Sequence, residues 1–260
     1  MAVISAWHPP VVGIQEVFHA RFAAHAYPAH THEAWTLLIV DDGVVRYDLD
    51  RRAHGAERRA VTLLPPGVPH DGRSVRPTGF RKRVLYLDPP VLGAGLVGAA
   101  VDRPSLPDPL LRTRIAQLHD ALAARTEDLE AESRLAFVVE RLRRHLRPRA
   151  RGIEPRSGLA HELRDLLDAA LPSAVPLTDA ARTLGAHPTS LVRAFSTEFG
   201  IPPHRYVVGR RLELARRHLL DGVPVAVAAD LAGFADQAHL TRHFSRLLGI
   251  GPGAYVRSAR

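Results

Sequence analysis

Short apolar runs separated by turn residues fill the first part of the chain, from about residue 10 to 90. The first two runs are joined by Asp41-Asp42-Gly43, which is typical of the turn of a β-hairpin. Prolines separate the later runs. Several short strands with turns between them predict a small barrel or sandwich. The candidate strands are residues 35–40, 43–49, 60–64 and 83–87.

Helical spacing replaces this pattern further along the chain. Apolar residues recur every three or four positions at about 108–125 and again at about 130–146, which predicts two amphipathic helices. Residues 141–151 are rich in arginine and contain Pro148, and Gly152 follows directly. This segment is therefore interpreted as a linker. Apolar stripes of this kind serve either to join two copies of a chain or to pack against their own domain. The stripes are Leu111, Ile115, Leu118 and Leu122, then Leu135, Val138, Val139 and Leu142.

The remaining helical region contains an internal repeat. Matched residues are 48 positions apart in the first four pairs and 49 apart in the rest. So long a series of matches predicts two copies of one structural unit. The first copy comprises Pro176, Leu177, Ala181, Gly185, Leu191, Arg193, Phe195, Gly200, Ile201, Pro203 and Tyr206. The second comprises Pro224, Val225, Ala229, Gly233, Leu240, Arg242, Phe244, Gly249, Ile250, Pro252 and Tyr255.

Each copy has the pattern of a helix-turn-helix. Gly185 and Gly233 are expected to end the first helix of each copy with a positive φ. The leucine and phenylalanine of each second helix are spaced i, i+4 and predict a buried face, which leaves the opposite face polar. Arg, Gln, Thr and Ser are residue types that contact base edges in a major groove. The candidate DNA-binding residues are Thr189, Ser190, Arg193, Thr197, Gln237, His239, Thr241, Arg242 and Arg246.

These residues resemble a known family. The segment 159–255 is similar to the DNA-binding domain of AraC/XylS-type regulators, most specifically at 228–249, AADLAGFADQAHLTRHFSRLLG, and in the Gly-Pro-Gly-Ala-Tyr that follows. The resemblance implies seven helices, with a linking helix at about 203–220 that holds the two units apart. The sequence departs from the family at Ala228, where a larger aliphatic residue is usual. It departs again at Pro188, which removes one amide donor from the first recognition helix.

Two histidine motifs occur in the strand-rich half. His30-Thr31-His32 and the Pro-Pro-Gly-Val-Pro segment before His70 resemble the metal-binding motifs of cupin domains, which many regulators of this family carry as sensors. The resemblance implies a site for Zn²⁺, Ni²⁺ or Fe²⁺ at His30, His32 and His70. The glutamate of the cupin motif is missing, because Thr36 and Leu37 stand at its two expected positions. Glu33 follows His32 directly, so on a strand it is expected to point to the opposite face.

The alternative is that these histidines bind an organic effector without metal or line a polar barrel mouth. A small barrel leaves room for one small ligand. Isolated histidines elsewhere, such as His119, His145 and His161, are expected at the surface. The candidate lining of an effector pocket is His30, His32, Trp35, Tyr47, His70, Arg81 and Arg83.

Charge supports a nucleic-acid partner only weakly. The formal net charge of +8 predicts a polyanionic partner. However, residues 151–260 hold 14 arginines and 10 acidic residues, while the first 150 hold 21 basic and 17 acidic residues, so both parts carry the same excess. The chain contains no cysteine, and it shows no long apolar segment and no signal-peptide pattern. These observations favour a cytoplasmic protein without a membrane partner.

The sequence therefore predicts an α+β protein in three parts. Residues 1–105 form a cupin-like barrel that senses an effector, 106–154 a helical linker or dimerisation segment, and 155–260 the double helix-turn-helix domain. The expected function is sequence-specific transcription regulation under control of a small molecule, without enzyme activity. The expected partners are double-stranded DNA, the effector, RNA polymerase if the protein is an activator, and a second copy of the chain.

Two other functions compete with this interpretation. A cupin-type metal-dependent enzyme, such as a dioxygenase or isomerase, is disfavoured by the missing glutamate and by the complete C-terminal repeat. A helical module that binds no specific DNA is disfavoured by the polar residue types on both outer faces.

Overall fold

The computed structural model describes residues 2–23, 25–124, 128–146 and 158–258. Within these residues, antiparallel sheets form the N-terminal part and helices form the C-terminal part, which is the α+β arrangement expected from the sequence. The predicted linker at 141–151 is wrong for its first five residues, because they continue a helix that ends at His145. Residues 147–151 of that prediction lie outside the described residues.

The N-terminal strands form two antiparallel sheets. One has the order β1-β2-β9-β4-β7-β10 and the other has the order β3-β8-β5-β6. The strands are β1 (Val3–Trp7), β2 (Ile14–Phe22), β3 (Ala26–His30), β4 (Trp35–Asp42), β5 (Val45–Leu49), β6 (Arg52–Ala56), β7 (Val61–Leu64), β8 (His70–Ser74), β9 (Phe80–Leu87) and β10 (Ser105–Leu106).

The predicted hairpin between the first two apolar runs is wrong. Strand β4 pairs with β7 and β9, whereas β5 pairs with β6 and β8, so the turn at Gly43 carries the chain from one sheet to the other. Gly43 has a φ of +76°, and a Cβ there would lie 2.3 Å from the carbonyl oxygen of Gly79. Close backbone approach therefore requires glycine at this corner, and an Asp-Gly turn alone does not distinguish a corner from a hairpin.

Both faces of the larger sheet are buried. In β4, Trp35, Leu37 and Ile39 face a layer of helices, while Leu38 and Val40 face the interior between the two sheets. Both predicted apolar stripes belong to the same apolar cluster as Trp35, Leu37 and Ile39. The two helices therefore pack against the sheet of their own domain. The helices of this part are α1 (Pro89–Leu92), a 3₁₀ turn (Ala94–Leu96), α2 (Val97–Asp102), α3 (Pro109–Ala124) and α4 (Asp128–His145).

Seven helices form the region from residue 158 to 258, as the family resemblance implied. They are α5 (Leu159–Ala170), α6 (Leu177–Thr183), α7 (Pro188–Phe199), α8 (Pro203–Leu220), α9 (Val225–Leu231), α10 (Gln237–Leu248) and α11 (Pro252–Ser258). Gly185 and Gly233 follow α6 and α9 with φ values of +60° and +78°. The core of the second unit, around Phe244 and Tyr255, is continuous with the interior of the barrel.

Asp108 fastens α4 to the start of α3. Its carboxylate accepts the amide of Leu111 at 3.0 Å, which caps α3, and two hydrogen bonds from Arg141 at 2.6 and 3.0 Å. His145 approaches the same carboxylate at 2.6 Å. Burial alone would raise the pKa of Asp108, but these three partners together hold the pKa well below its usual value.

Asp108→Asn is expected to lower the free energy of unfolding at neutral pH by about 1–3 kcal/mol, because a cap and charge-assisted hydrogen bonds are weakened. The lowered pKa of Asp108 means that its ionised form stabilises the fold above the unfolded-state pKa of about 4 and that this contribution is lost at lower pH. Urea unfolding followed by tryptophan fluorescence should therefore show the variant and parent converging below about pH 4. A constant difference down to pH 2.5 or so would contradict this role for the carboxylate.

Candidate DNA-binding surface and sensor cluster

The two recognition helices have matching lengths and ends. Helices α7 and α10 each contain 12 residues and each ends at a glycine in the left-handed region, Gly200 with a φ of +69° and Gly249 with a φ of +75°. The His187 side chain accepts the amide of Thr189 at 3.3 Å, and Asp236 accepts the amide of His239 at 2.6 Å. These side chains satisfy one free amide at each N-terminus, so Pro188 at the first position of α7 removes no needed donor.

The outer faces of both helices are accessible. Leu191 and Phe195 are buried in α7, as are Leu240 and Phe244 in α10, so the repeat positions that were expected to face inward do so. Arg193 and Arg242 lie at the same position of each helix and are exposed. Of the other candidates, Thr189, Ser190, Thr197, Gln237 and Arg246 are exposed, and His239 and Thr241 are half-buried.

The structure brings His30, His32 and His70 together at the end of the smaller sheet. One ring nitrogen from each histidine lies within 4.8 Å of the corresponding nitrogens of the other two, and all three side chains are buried. Burial is the largest cause that lowers the pKa of each ring, and for His70 it lowers the pKa to about 4. Neutral imidazole, the form that binds metal ions, is therefore the state of these rings at neutral pH.

The other candidate pocket residues divide between two faces. Tyr47 faces the barrel interior with the histidines, in the same apolar cluster as Tyr27 and Tyr86. Trp35, Arg81 and Arg83 are wrong as lining residues, because strand alternation places them on the other face. Trp35 packs under the helices, Arg83 donates to Asp41 and Asp120, and Arg81 lies 3.8 Å from Asp41.

The expectation of surface positions for the isolated histidines is wrong for His119, which is fully buried beside His19. His145 and His161 are only partly exposed and lie at acidic partners, Asp108 and Glu198. The sequence showed no signal for these pairings, because each partner is distant along the chain.

Charged residues on one face of α8 enter the boundary between the barrel and the DNA-binding region. Arg216 is buried, donates to Glu16 of β2 at 2.5 Å and stacks 4.6 Å from the ring of Tyr86. The hydroxyl of Tyr255 donates to the same Glu16 oxygen at 2.7 Å. The buried Glu16–Arg216 ion pair, with the hydrogen bond from Tyr255, therefore joins β2 to α8 and α11.

A second group of contacts involves Arg210 and Glu213, which lie earlier on α8. Arg210 donates to Glu33, to Asp168 at 3.1 Å and to Glu213 at 3.1 Å. Glu213 in turn lies 2.9 Å from Nδ1 of His32. Burial raises the pKa of the Glu213 carboxyl to about 7, and the neighbouring guanidinium of Arg210 opposes that shift. The histidine cluster is thus in direct contact with the helix that separates the two recognition helices.

Comparison with known proteins identifies both parts of this arrangement. A model of AraC-like ligand-binding domains matches residues 12–138, and a model of helix-turn-helix domains matches residues 180–258. The chain belongs to the AraC family.

Two transcription regulators are similar to parts of this chain. It is 37% identical over 62 residues to the probable transcriptional regulator LumQ of Photobacterium leiognathi, covering 24% of this chain and 25% of that protein. It is 35% identical over 112 residues to the HTH-type transcriptional regulator Rv1931c of Mycobacterium tuberculosis, covering 43% and 38%. The matched segments thus span well under half the length of each of these two relatives.

Solved structures support the same fold over nearly the whole chain. ToxT from Vibrio cholerae is 10% identical and matches with a TM-score of 0.60, covering 99% of this chain and 98% of that one. A structure of wild-type ToxT with bound unsaturated fatty acid is 11% identical and matches with a TM-score of 0.54, covering 98% and 94%. At this level of sequence identity, the likeness shows that the two proteins share a fold and shows nothing further about this chain.

Reasoning from the sequence missed the charged face of α8 and one residue inside the barrel. Lys82 points inward between the outward-facing Arg81 and Arg83, with its ammonium 4.1 Å from the centre of the Tyr27 ring. Burial, and after it the charge of Arg216, lowers the pKa of Lys82 to about 7. The spacing of Arg210, Glu213 and Arg216 on one helix face was the available signal, because three residues at i, i+3 and i+6 share a side.

Replacement of Glu16 is expected to weaken the connection between the two parts of this AraC-family protein. Glu16→Ala leaves Arg216 buried without its carboxylate, and losing one partner of a buried pair costs about 3–5 kcal/mol. Urea unfolding should shift accordingly, and hydrogen exchange should rise in α8 more than in the α3–α4 pair. The matched control, Glu57→Ala, removes an exposed carboxylate from the same half and should change stability by less than about 0.5 kcal/mol. Equal effects of the two changes would rule out a special role for Glu16.

Proposed function

We propose that the protein is a sequence-specific DNA-binding transcription regulator, rather than an enzyme, and that it is controlled by a small-molecule effector. The observation that carries this proposal is the pair of recognition helices, which have the same length, a side-chain cap at the N-terminus and a glycine at the C-terminus. Each helix presents an exposed arginine at the same position, Arg193 in α7 and Arg242 in α10. Two such faces on one chain match the repeated grooves of a duplex.

The length of α8 supports binding to successive grooves. Its 18 residues correspond to about 27 Å at 1.5 Å per residue, which is close to the length of one DNA turn, about 34 Å. One chain should therefore contact two short base blocks about ten base pairs apart on one face of DNA. The site assignment is Thr189, Ser190, Arg193 and Thr197 in one block and Gln237, His239, Thr241, Arg242 and Arg246 in the other.

Control by an effector is supported by the clefts between the barrel and the first helix-turn-helix unit. One cleft of about 580 Å³ lies among Arg52, Val68, His161, Arg164 and Phe199, and a second of about 310 Å³ adjoins it near Pro69 and His70. Their lining mixes apolar residues with charges of both signs, such as Arg52 and Arg164 beside Asp50, Asp102 and Glu198 in the larger cleft, which suits a small polar organic ligand. ToxT, whose fold this chain shares, has been solved with a bound unsaturated fatty acid, which supports control by a small molecule here.

Further partners follow from the proposed activity. A regulator of transcription acts in the cytoplasm of a bacterial cell, and an activator would contact RNA polymerase. A second copy of the chain remains a proposed partner. The apolar stripes of α3 and α4 are buried inside the protein, so such a contact would use other residues, such as the exposed Phe137. Among the described residues, no helix is both long enough and apolar enough to span a bilayer.

Selection of binding sites from random DNA with the full chain should yield two conserved blocks about one helical turn apart. Binding should weaken steeply as salt rises, because phosphate contacts release counterions. Recovery of no common sequence at moderate salt would remove the basis of the proposal.

Arg193→Ala and Arg242→Ala are each expected to relax sequence preference in one block only. If each arginine contacts a guanine, its loss should cost about 1–3 kcal/mol at that block. The measurement is quantitative binding to a library of operators that are varied one block at a time. Arg144→Ala, which removes an exposed arginine of α4 that pairs with Glu140 and lies outside both recognition helices, is the matched control and should leave all affinities unchanged. Uniform weakening across the library would instead assign the arginines to phosphate contacts, and an unchanged profile for both variants would show that these helices do not read the bases.

A further inference from the structure

The rings of His30 and His70 are held in one orientation by carbonyl oxygens. Nδ1 of His30 lies 2.7 Å from the carbonyl oxygen of Pro28, and Nδ1 of His70 lies 3.1 Å from that of Val68. A carbonyl oxygen only accepts hydrogen bonds, so Nδ1 carries the proton in both rings. The remaining nitrogen of each ring, Nε2, therefore presents a lone pair.

His32 is held in the same orientation by a residue from the other half of the protein. Its Nδ1 lies 2.9 Å from Oε1 of Glu213, and that oxygen also accepts the backbone amide of Glu33 at 2.9 Å. Arg210 donates to the second oxygen of Glu213 at 3.1 Å. Because these donors converge on its two oxygens, the ionised form of Glu213 accepts the Nδ1 proton of His32, and Nε2 of His32 is then left with its lone pair.

The free nitrogens are spaced as ligands of one metal ion. Nε2 of His30 and Nε2 of His32 are 3.2 Å apart, a distance at which two lone pairs repel unless a proton or a metal ion lies between them. Two nitrogens bound to tetrahedral zinc at about 2.05 Å would be separated by about 3.3 Å. His70 completes a triangle whose nitrogens all lie within 4.8 Å of one another. Three neutral imidazoles with a water molecule or an effector group as fourth ligand make a recognised zinc environment.

Glu213 takes a different place from the carboxylate that the cupin motif would supply. Thr36 stands on β4 where that ligand is expected, and its hydroxyl is buried without a partner among the described residues. Glu213 instead accepts a hydrogen bond from Nδ1 of His32, the ring nitrogen that faces away from the other two histidines. Carboxylates in this position orient metal-bound histidines and strengthen their metal binding. This carboxylate belongs to α8, so the orientation of His32 depends on how α8 lies against the barrel.

The cupin resemblance implies one divalent metal ion at His30, His32 and His70, and the spacing of their free nitrogens fits an ion of the zinc class. We propose that Glu213 is the positioning residue of that site and links it through α8 to the DNA-binding region. Because coupling between two sites is reciprocal, metal binding strengthens the docking of α8 on the barrel as much as docking strengthens metal binding. The metal site stands on its own geometry, and only its consequence for DNA binding rests on the proposed function.

Titration of the metal-free full chain with Co²⁺ and Zn²⁺ tests the ligand set. The expected result is one equivalent per chain with the visible absorption of tetrahedral cobalt, which zinc displaces. His30→Asn and His70→Asn, made separately so that one unstable variant does not decide the outcome, should each lose at least about tenfold in affinity. His8→Asn, at an exposed histidine, is the control and should bind as the parent does. Absence of stoichiometric binding by the folded parent, or binding that survives both ligand changes, would overturn the site.

Glu213→Gln tests the positioning role and has a matched control in Glu33→Gln. Both changes remove a carboxylate that binds Arg210, but only the Glu213 side chain contacts a ligand histidine. Loss of a carboxylate that orients a metal ligand typically weakens metal binding by about 10–100-fold, and Glu213→Gln should fall in that range. Glu33→Gln should remain within about threefold of the parent. Equal losses in the two variants would mean that docking in general, and not Glu213, supports the site.

Hydrogen exchange separates this inference from the proposed function. Zinc should slow exchange in α8 of the parent and have less effect in Glu213→Gln, a result measured without DNA. Exchange in α8 that is unchanged by stoichiometric zinc would overturn the link between the two halves. Selection of binding sites from random DNA tests the regulator proposal independently, so a protein that binds zinc but no specific DNA would fail only the latter.

Discussion

Buried arginines of α8 need carboxylates, and this requirement connects the halves of the molecule. Arg216 lies inside the barrel boundary and is compensated by Glu16, while Arg210 is surrounded by Glu33, Asp168 and Glu213. An unpaired charge in such a place is strongly unfavourable, so the barrel and the DNA-binding region must keep these partners together. The apolar cluster that runs from the barrel interior into the second helix-turn-helix unit adds to the same constraint.

This connection places the sensor cluster next to the part of the DNA-binding region that sets its geometry. Helix α8 fixes the separation of the two recognition helices, and its Glu213 touches His32. The barrel also reaches the C-terminal ends of both recognition helices, through Arg51 to the carbonyl of Thr197 and through His25 to the carbonyl of Leu247. The barrel therefore contacts both helices at their C-terminal ends, while residues near their N-termini, such as Thr189 and Gln237, stay exposed.

Prediction from the sequence worked best where the structural signal is local. The family resemblance placed α8 at its observed bounds. The repeat identified the buried and exposed faces of α7 and α10, because helical periodicity is a property of neighbouring residues. It worked less well in the sheets. The turn at Gly43 looked like a hairpin, and six strands were missed, namely β1, β2, β3, β6, β8 and β10. Strand pairing joins residues that are far apart in the chain, and the larger sheet is buried on both faces, so it shows no alternation of polar and apolar residues.

The family, the double helix-turn-helix and the three histidines of the sensor half could all be recognised from residue patterns along the chain. The residues that surround those histidines could be identified only from the packing of the folded protein. Trp35, Arg81 and Arg83 turned out to lie on the opposite face of the sheet, and the carboxylate beside His32 came from Glu213, 181 residues away. The physical reason is that side-chain direction on a strand changes with every residue, so a shift of one position reverses it. A partner across a domain boundary leaves no pattern in the sequence around the site.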